Sequence, residues 1–245
     1  MFDMHEMRHL PNAPIIEAVI DIRTNLKPDF DSDIFVALAG QIGYAKISNT
    51  LFSEFELPPP TESAPLHTFG LRFESSDGLQ IVQFRKDGFT FSRLSPYTSW
   101  DHVFDEASRL YRLFFAAAKP EEVSRIAVRY INRLPLPASE VGDFSSFLTS
   151  PPRFSASSHA FVTGFLTQVQ IQEPHSRIAA TIIQTVRETS TNPEIVPVIL
   201  DLDVYEQHPL APEPDALLPR FAALREAKNR YFFGSITEQS TLLFV

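Results

Sequence analysis

The most specific chemical spacing in the chain is His5-Glu6-Met7-Arg8-His9. On a helix its two imidazoles would share one face and could hold zinc, with Glu6 beside them as a base. Such a site needs a stable helix and a third ligand. Pro11 ends the stretch, and terminal segments are poorly anchored, so the pattern reads as a surface segment and no metal is assigned. His67, His102, His159, His175 and His208 show no ligand spacing among themselves.

A second set of chemistry-bearing residues lies on strands. In PIIEAVIDIRT, Ile16, Ala18, Ile20 and Ile22 alternate with Glu17, Val19, Asp21 and Arg23, which is the pattern of a half-buried strand. VSRIAVRYINRL repeats the device, with Ile126, Val128, Tyr130 and Asn132 opposite Arg125, Ala127, Arg129, Ile131 and Arg133. If these strands are neighbours, acids and arginines come within reach of one another. One chemistry for such a face is a carboxylate-held divalent metal with arginines on phosphate groups, as in triphosphate-hydrolysing tunnel enzymes. Val19 departs from that pattern, because it stands between Glu17 and Asp21 where the alternation of charge should continue. The alternative is cross-strand ion pairs on a solvated face, each worth about 0.2–1 kcal/mol. Arg85, on a strand with Gln83, and Arg93, at the end of the next, could join either arrangement. So could Asp201 and Asp203 in VILDLDVY, whose spacing suits a metal pair but occurs on any outward strand face.

The other motifs carry less. Gly40 to Lys46 lacks the spacing and the Lys-Ser/Thr ending of a phosphate loop, and no dinucleotide or nucleophile-elbow fingerprint occurs, so no cofactor is assigned. Phe89, Phe91, Tyr97 and Trp100 beside Arg93 could stack nucleic-acid bases, but core packing accounts for them better. Lys228-Asn229-Arg230 complements the negative pole of the last helix.

The elements that must position these residues follow from periodicity. After the first strand, Phe30, Ile34, Leu38 and Ile42 predict a helix capped by Asp31 or Ser32. Tyr44 to Ala64, with Pro58 to Pro60, reads as an irregular excursion. Leu66 to Glu74, Leu79 to Arg85 and Phe89 to Leu94 form a meander whose two Asp-Gly pairs mark hairpins. A long amphipathic helix spans Ser99 to Ala118 and ends at Lys119-Pro120. The second half runs in the same order: the strand of Val123 to Leu134, a short helix at Asp143 to Thr149, strands at Ala160 to Gln172, Ile178 to Glu188 and Val196 to Tyr205, and a helix from about Asp215 to Phe233. Gly234 is its expected stop, and a last turn covers Thr237 to Leu243.

The predicted fold is therefore α+β: two strand-helix-three-strand-helix units, about 12–119 and 122–234, sharing one curved antiparallel sheet with the long helices on one face. With 44% apolar residues, 22 Phe, and no Gly/Ser-rich linker, the 245 residues are expected to form a single domain with a short C-terminal segment. Zero Cys removes thiolate chemistry and disulfides. A net charge of −9 does not favour nucleic acid as a partner. The opening residues lack the apolar core of a signal peptide and no apolar run could span a membrane, so a cytoplasmic protein is expected.

The order of elements in each half is similar to that of the TATA-box-binding-protein fold, a likeness of topology that carries no function. LPNAPIIEAVIDIR, GFTFSRLSPYTSW with AVRYINRL, and LREAKNRYFFGSITEQ together resemble a sporadically distributed prokaryotic family of uncharacterised proteins of about this length. The resemblance implies a one-domain cytoplasmic protein and carries no site residues with it. The expected function is non-catalytic binding, with another protein or a second copy of the chain as partner. The alternative is a phosphoryl-transfer or nucleotide-processing enzyme using the acids and arginines of the exposed sheet face.

Overall fold

Alternation sets the first strand and its neighbour. Ala18, Ile20 and Ile22 are fully buried along β1 (Ile15–Asn25), and Ile126, Val128, Tyr130 and Asn132 along β6 (Glu122–Pro137). The two strands run antiparallel, Arg133 N donating to Pro14 O at 2.8 Å near one end and Glu121 N to Asn25 O at 3.2 Å near the other. The computed structural model describes residues 10–27, 30–52, 67–139, 144–153, 162, 164–186 and 192–245. The His5–His9 pattern, Pro58 to Pro60 and the outer ends of several expected strands lie outside them.

Between β1 and β6 come α1 (Ala39–Ile42), β2 (Lys46–Phe52), β3 (His67–Glu74), β4 (Gln80–Arg85), β5 (Gly88–Leu94) and α2 (Trp100–Ala118). After β6 follow β7 (Phe165–Gln172), β8 (Ile178–Val186), β9 (Ile195–Leu210), α3 (Pro214–Leu217), α4 (Phe221–Ser235) and α5 (Glu238–Thr241). The strands form one nine-stranded antiparallel sheet in the order β2-β3-β4-β5-β1-β6-β9-β8-β7, so the protein is α+β as expected. Among the described residues, no helix is long and apolar enough to cross a membrane.

The chain divides into two compact units. One comprises Val19–Ala127 and Glu206–Phe221; the other takes the described residues of Met1–Ala18, Val128–Tyr205 and Ala222–Val245. The first has an aromatic core. Phe35, Phe84, Phe89, Tyr111 and Phe114 are fully buried, with the ring of Phe114 5.5 Å from that of Phe84 and 5.6 Å from that of Phe35. Helix α2 supplies Tyr111 and Phe114 because its apolar residues recur every three or four positions. Ser99 caps it by accepting from His102 N at 3.2 Å, and Lys119, at φ 46°, ends it. The second unit buries mainly aliphatic residues of β6 and β9, among them Leu134, Leu136, Val198, Leu200 and Leu202, with Phe147, Phe232 and Phe244.

Several expected elements differ, among them the short helix expected at Asp143 to Thr149, which is a 3-10 turn at Phe144–Ser146. Lys46–Phe52, expected within an excursion, is edge strand β2, paired with β3 from Lys46 opposite Glu74 onward. Its Ser-Asn-Thr run hides the strand, and a register shift between Thr50 and Leu51 interrupts the alternation. The helix expected over Phe30 to Ile42 is a 3-10 segment over Ser32–Leu38 followed by α1; Asp31 caps it, accepting from Asp33 N at 2.9 Å. The last long helix is broken into α3, a 3-10 turn at Leu218–Arg220 and α4. Pro219 explains the break, since it lacks an N–H and its ring collides with the carbonyl one turn back. Gly234 does not stop α4, which runs on to Ser235, whose hydroxyl donates to Tyr231 O at 2.7 Å.

Candidate functional site

A tight hairpin builds the main polar cluster, which lies within the first unit. The two-residue turn Lys86-Asp87 sets Arg85 opposite Gly88 and Gln83 opposite Thr90. Phe84 and Phe89 thereby face the aromatic core, while Arg85 and Thr90 occupy the other side of the ladder. Strand β1 passes beside β5, where Thr24 N donates to Asp87 O at 2.9 Å. Asp21 arrives on the same side as Thr90 because it alternates with the buried Ile20 and Ile22.

The Asp21 carboxylate accepts from four side chains. Oδ1 takes Thr90 Oγ1 at 2.7 Å and Arg85 Nη2 at 3.4 Å; Oδ2 takes Arg23 Nε at 3.1 Å and Arg125 Nη1 at 3.3 Å. Arg85 also donates to Thr90 Oγ1 at 2.7 Å and to Asp87 Oδ1 at 2.8 Å, and Arg23 donates to Asp87 Oδ2. Burial grades across this network: the side chains of Arg85 and Asp21 are 9% and 12% exposed, that of Arg125 20% and that of Arg23 41%. A buried anchor thus fixes two arginines that reach toward solvent. Burial opposes charge on Arg23, but Asp21 and Asp87 outweigh it and hold the guanidinium pKa above its ordinary value.

On β3, the strand beside β4, Arg72 stands opposite Gln83 and therefore on the same face, paired with Glu74 at 3.0 Å. Arg23, Arg72, Arg85 and Arg125 outnumber Asp21, Glu74 and Asp87. A chain of net charge −9 so carries a locally cationic sheet face.

The second unit holds a smaller pair. Arg129 binds Asp201 bidentately, Nε to Oδ1 at 2.9 Å and Nη2 to Oδ2 at 2.5 Å. The Asp201 hydrogen bond raises the Arg129 pKa, burial opposes it, and the fields of Asp201, Asp203 and Glu17 add to the rise. The expected acids and arginines therefore assemble as two groups: Asp21, Arg23, Arg85 and Arg125 in one unit, and Glu17, Arg129, Asp201 and Asp203 in the other. Arg133 lies further along β6, exposed. Arg93 joins neither group. It shares the helix-covered side of β5 with Phe89 and Phe91 and donates to Pro96 O at 3.3 Å. Among the described residues, no three carboxylate, imidazole or thiol groups converge as a metal would require.

Thr90, Asp87 and Arg72 are site residues that the sequence reading passes over. The signal was present for Thr90, since a two-residue turn after Arg85 dictates that Thr90 falls opposite Gln83, on the side of Arg85.

Lys228 has a different place from the one its position in the helix suggested. Its ammonium lies 4.1 Å from the centroid of the Tyr130 ring. Burial first, then the charge of Arg225, lowers its pKa to about 7. A folded-state pKa below the unfolded value means that protonation opposes folding; this penalty is complete below pH 7 and is relieved as pH rises toward the unfolded pKa. Lys228→Met is therefore expected to raise the melting temperature more at pH 6 than at pH 9. Melts of both proteins at the two pH values check it, and an equal or reversed gain would show that the ring contact dominates.

No protein-family model matches the chain, and no curated protein is similar enough to count as a match.

Proposed function

We propose that the protein is a non-catalytic binding protein that recognises an acidic surface of another protein through the cationic sheet face of its first unit. The observation that carries this reading is the engagement of Asp21. Four donors already occupy its carboxylate, and Arg129 holds both oxygens of Asp201. Asp21 and Asp201, two of the acids that a phosphoryl-transfer or nucleotide-processing enzyme would need, are thus spent on positioning arginines. Arginines held in place lose little side-chain freedom on meeting a carboxylate, and the more exposed guanidinium groups, those of Arg23 and Arg72, keep donors free to meet one. Charge of this kind speeds and orients encounter more than it tightens the complex, so the interaction should weaken with salt.

The same reading takes the chain as a single cytoplasmic domain of the prokaryotic family its three blocks resemble, built from two repeated units. The repeat is supported by the sheet order, in which β5, β4 and β3 follow outward from β1 as β9, β8 and β7 follow from β6. The experiment is purification of the tagged chain from its host at low and high salt. A stoichiometric companion protein that departs at high salt is expected. A lone protein that turns over phosphorylated substrates would reject the proposal in favour of the enzyme.

A further inference from the structure

The two edges of the sheet are built differently. Edge strand β2 carries Lys46, ion-paired to Glu74 at 2.7 Å, and a register shift, both devices that discourage strand addition. Edge strand β7 has neither. Its sequence, Phe-Leu-Thr-Gln-Val-Gln-Ile-Gln, contains no charge and no proline, and it pairs with β8 over its full length, from Phe165 opposite Val186 to Gln172 opposite Ala179, without a shift. Among the described residues, β8 is its one strand partner. Leu166 is 62% exposed and Val169 53%. Strand β8, Ile178–Val186, is equally free of charge.

A straight, uncharged edge is a template for another strand, and natural proteins rarely leave one bare. We infer that β7 is a self-association surface on which a second copy of this chain adds its own β7, antiparallel across a two-fold axis, extending the sheet. Charge argues for a second copy as occupant. Two chains of net charge −9 repel over most approaches, but along β7 no like charges meet. The pattern is also self-complementary. A two-fold perpendicular to the sheet places odd-numbered residues opposite odd and even opposite even. Phe165, Thr167, Val169 and Ile171 then meet one another on one face. Leu166, Gln168, Gln170 and Gln172 meet on the other, where glutamine amides both donate and accept.

Because the native chain has no cysteine, the interface can be read with single introduced thiols. Gln168→Cys should give a covalent dimer with a short bismaleimide, whereas Leu242→Cys, exposed but outside the strand, should not. In sedimentation, wild type should be a dimer, and Val169→Lys should weaken it by about tenfold or more, since like charges then face each other. Gln170→Lys, on the opposite face, is the second variant should Val169→Lys fail to fold. A wild type that stays monomeric at its highest soluble concentration overturns the inference. So does a dimer that both lysine variants leave intact, or a Leu242→Cys cross-link as efficient as that of Gln168→Cys.

Discussion

Asp21→Ala should destabilise the protein by about 2–3 kcal/mol in urea unfolding, because it leaves the buried donors of Arg85 and Thr90 without their shared carboxylate acceptor. Arg85 is 9% exposed at its side chain and keeps only Asp87 as a charged partner once Asp21 is gone. Thr90 loses the acceptor of its 2.7 Å hydrogen bond at the same time. Asp21→Asn should cost less, since the amide oxygen can still accept from Thr90 while the charge is lost. The contrast separates the node from an ordinary surface ion pair, whose removal costs about 0–1 kcal/mol. A loss of that size for Asp21→Ala would mean that the arginines are not held by this carboxylate, and the pre-positioned face would lose its basis.

Gly88→Ala should cost about 3 kcal/mol or more, for a reason lodged in the backbone. Gly88 has φ 146°, which L side chains rarely adopt, and a Cβ there would lie 2.1 Å from Ile22 O and 3.0 Å from Arg23 Cα. Strand β1 cannot retreat, because its inward face carries Ile20 and Ile22 into the core and Thr24 N is bonded to Asp87 O. The substitution therefore presses on the segment that carries Asp21 and Arg23, and partner capture should suffer along with stability. Gly78→Ala is the control. It also has positive φ, 72°, but its nearest neighbour would be the movable Glu74 carboxylate at 3.4 Å, so a loss of about 1–2 kcal/mol is expected. Equal losses for the two would show that positive φ alone, and not the close approach of β5 to β1, is what Gly88 serves.

How much of this could be read beforehand depended on whether a signal was local. The period-two alternation of Ile20, Ile22, Ile126 and Val128 announced two half-buried strands, and pairing those strands brings Asp21 within 3.3 Å of Arg125. The spacing of Tyr111 and Phe114 announced α2. What stayed hidden was decided by pairing or by a single residue. Lys46–Phe52 is a strand because β3 lies beside it, which its own polar run does not reveal. Pro219 sits within an otherwise helical pattern that extends on both sides of it, and its missing N–H breaks the helix there. In the site, Asp21 could be named but not its occupancy. A carboxylate with four donors and a carboxylate open to a metal have the same sequence. Arg93 shows the converse, since its neighbours suggested a shared site and strand alternation sends it to the other side of the sheet.

The central claim, that positioned arginines on this face recognise an acidic partner, is tested most directly by charge reversal at its two most exposed guanidinium groups. Arg23→Glu and Arg72→Glu should each abolish capture of the salt-sensitive companion while the fold, followed by circular dichroism, is retained. Arg112→Glu, on the surface of α2 beside Asp215, should leave capture intact. A companion still held by the first two variants, or lost only with the third, would contradict the account.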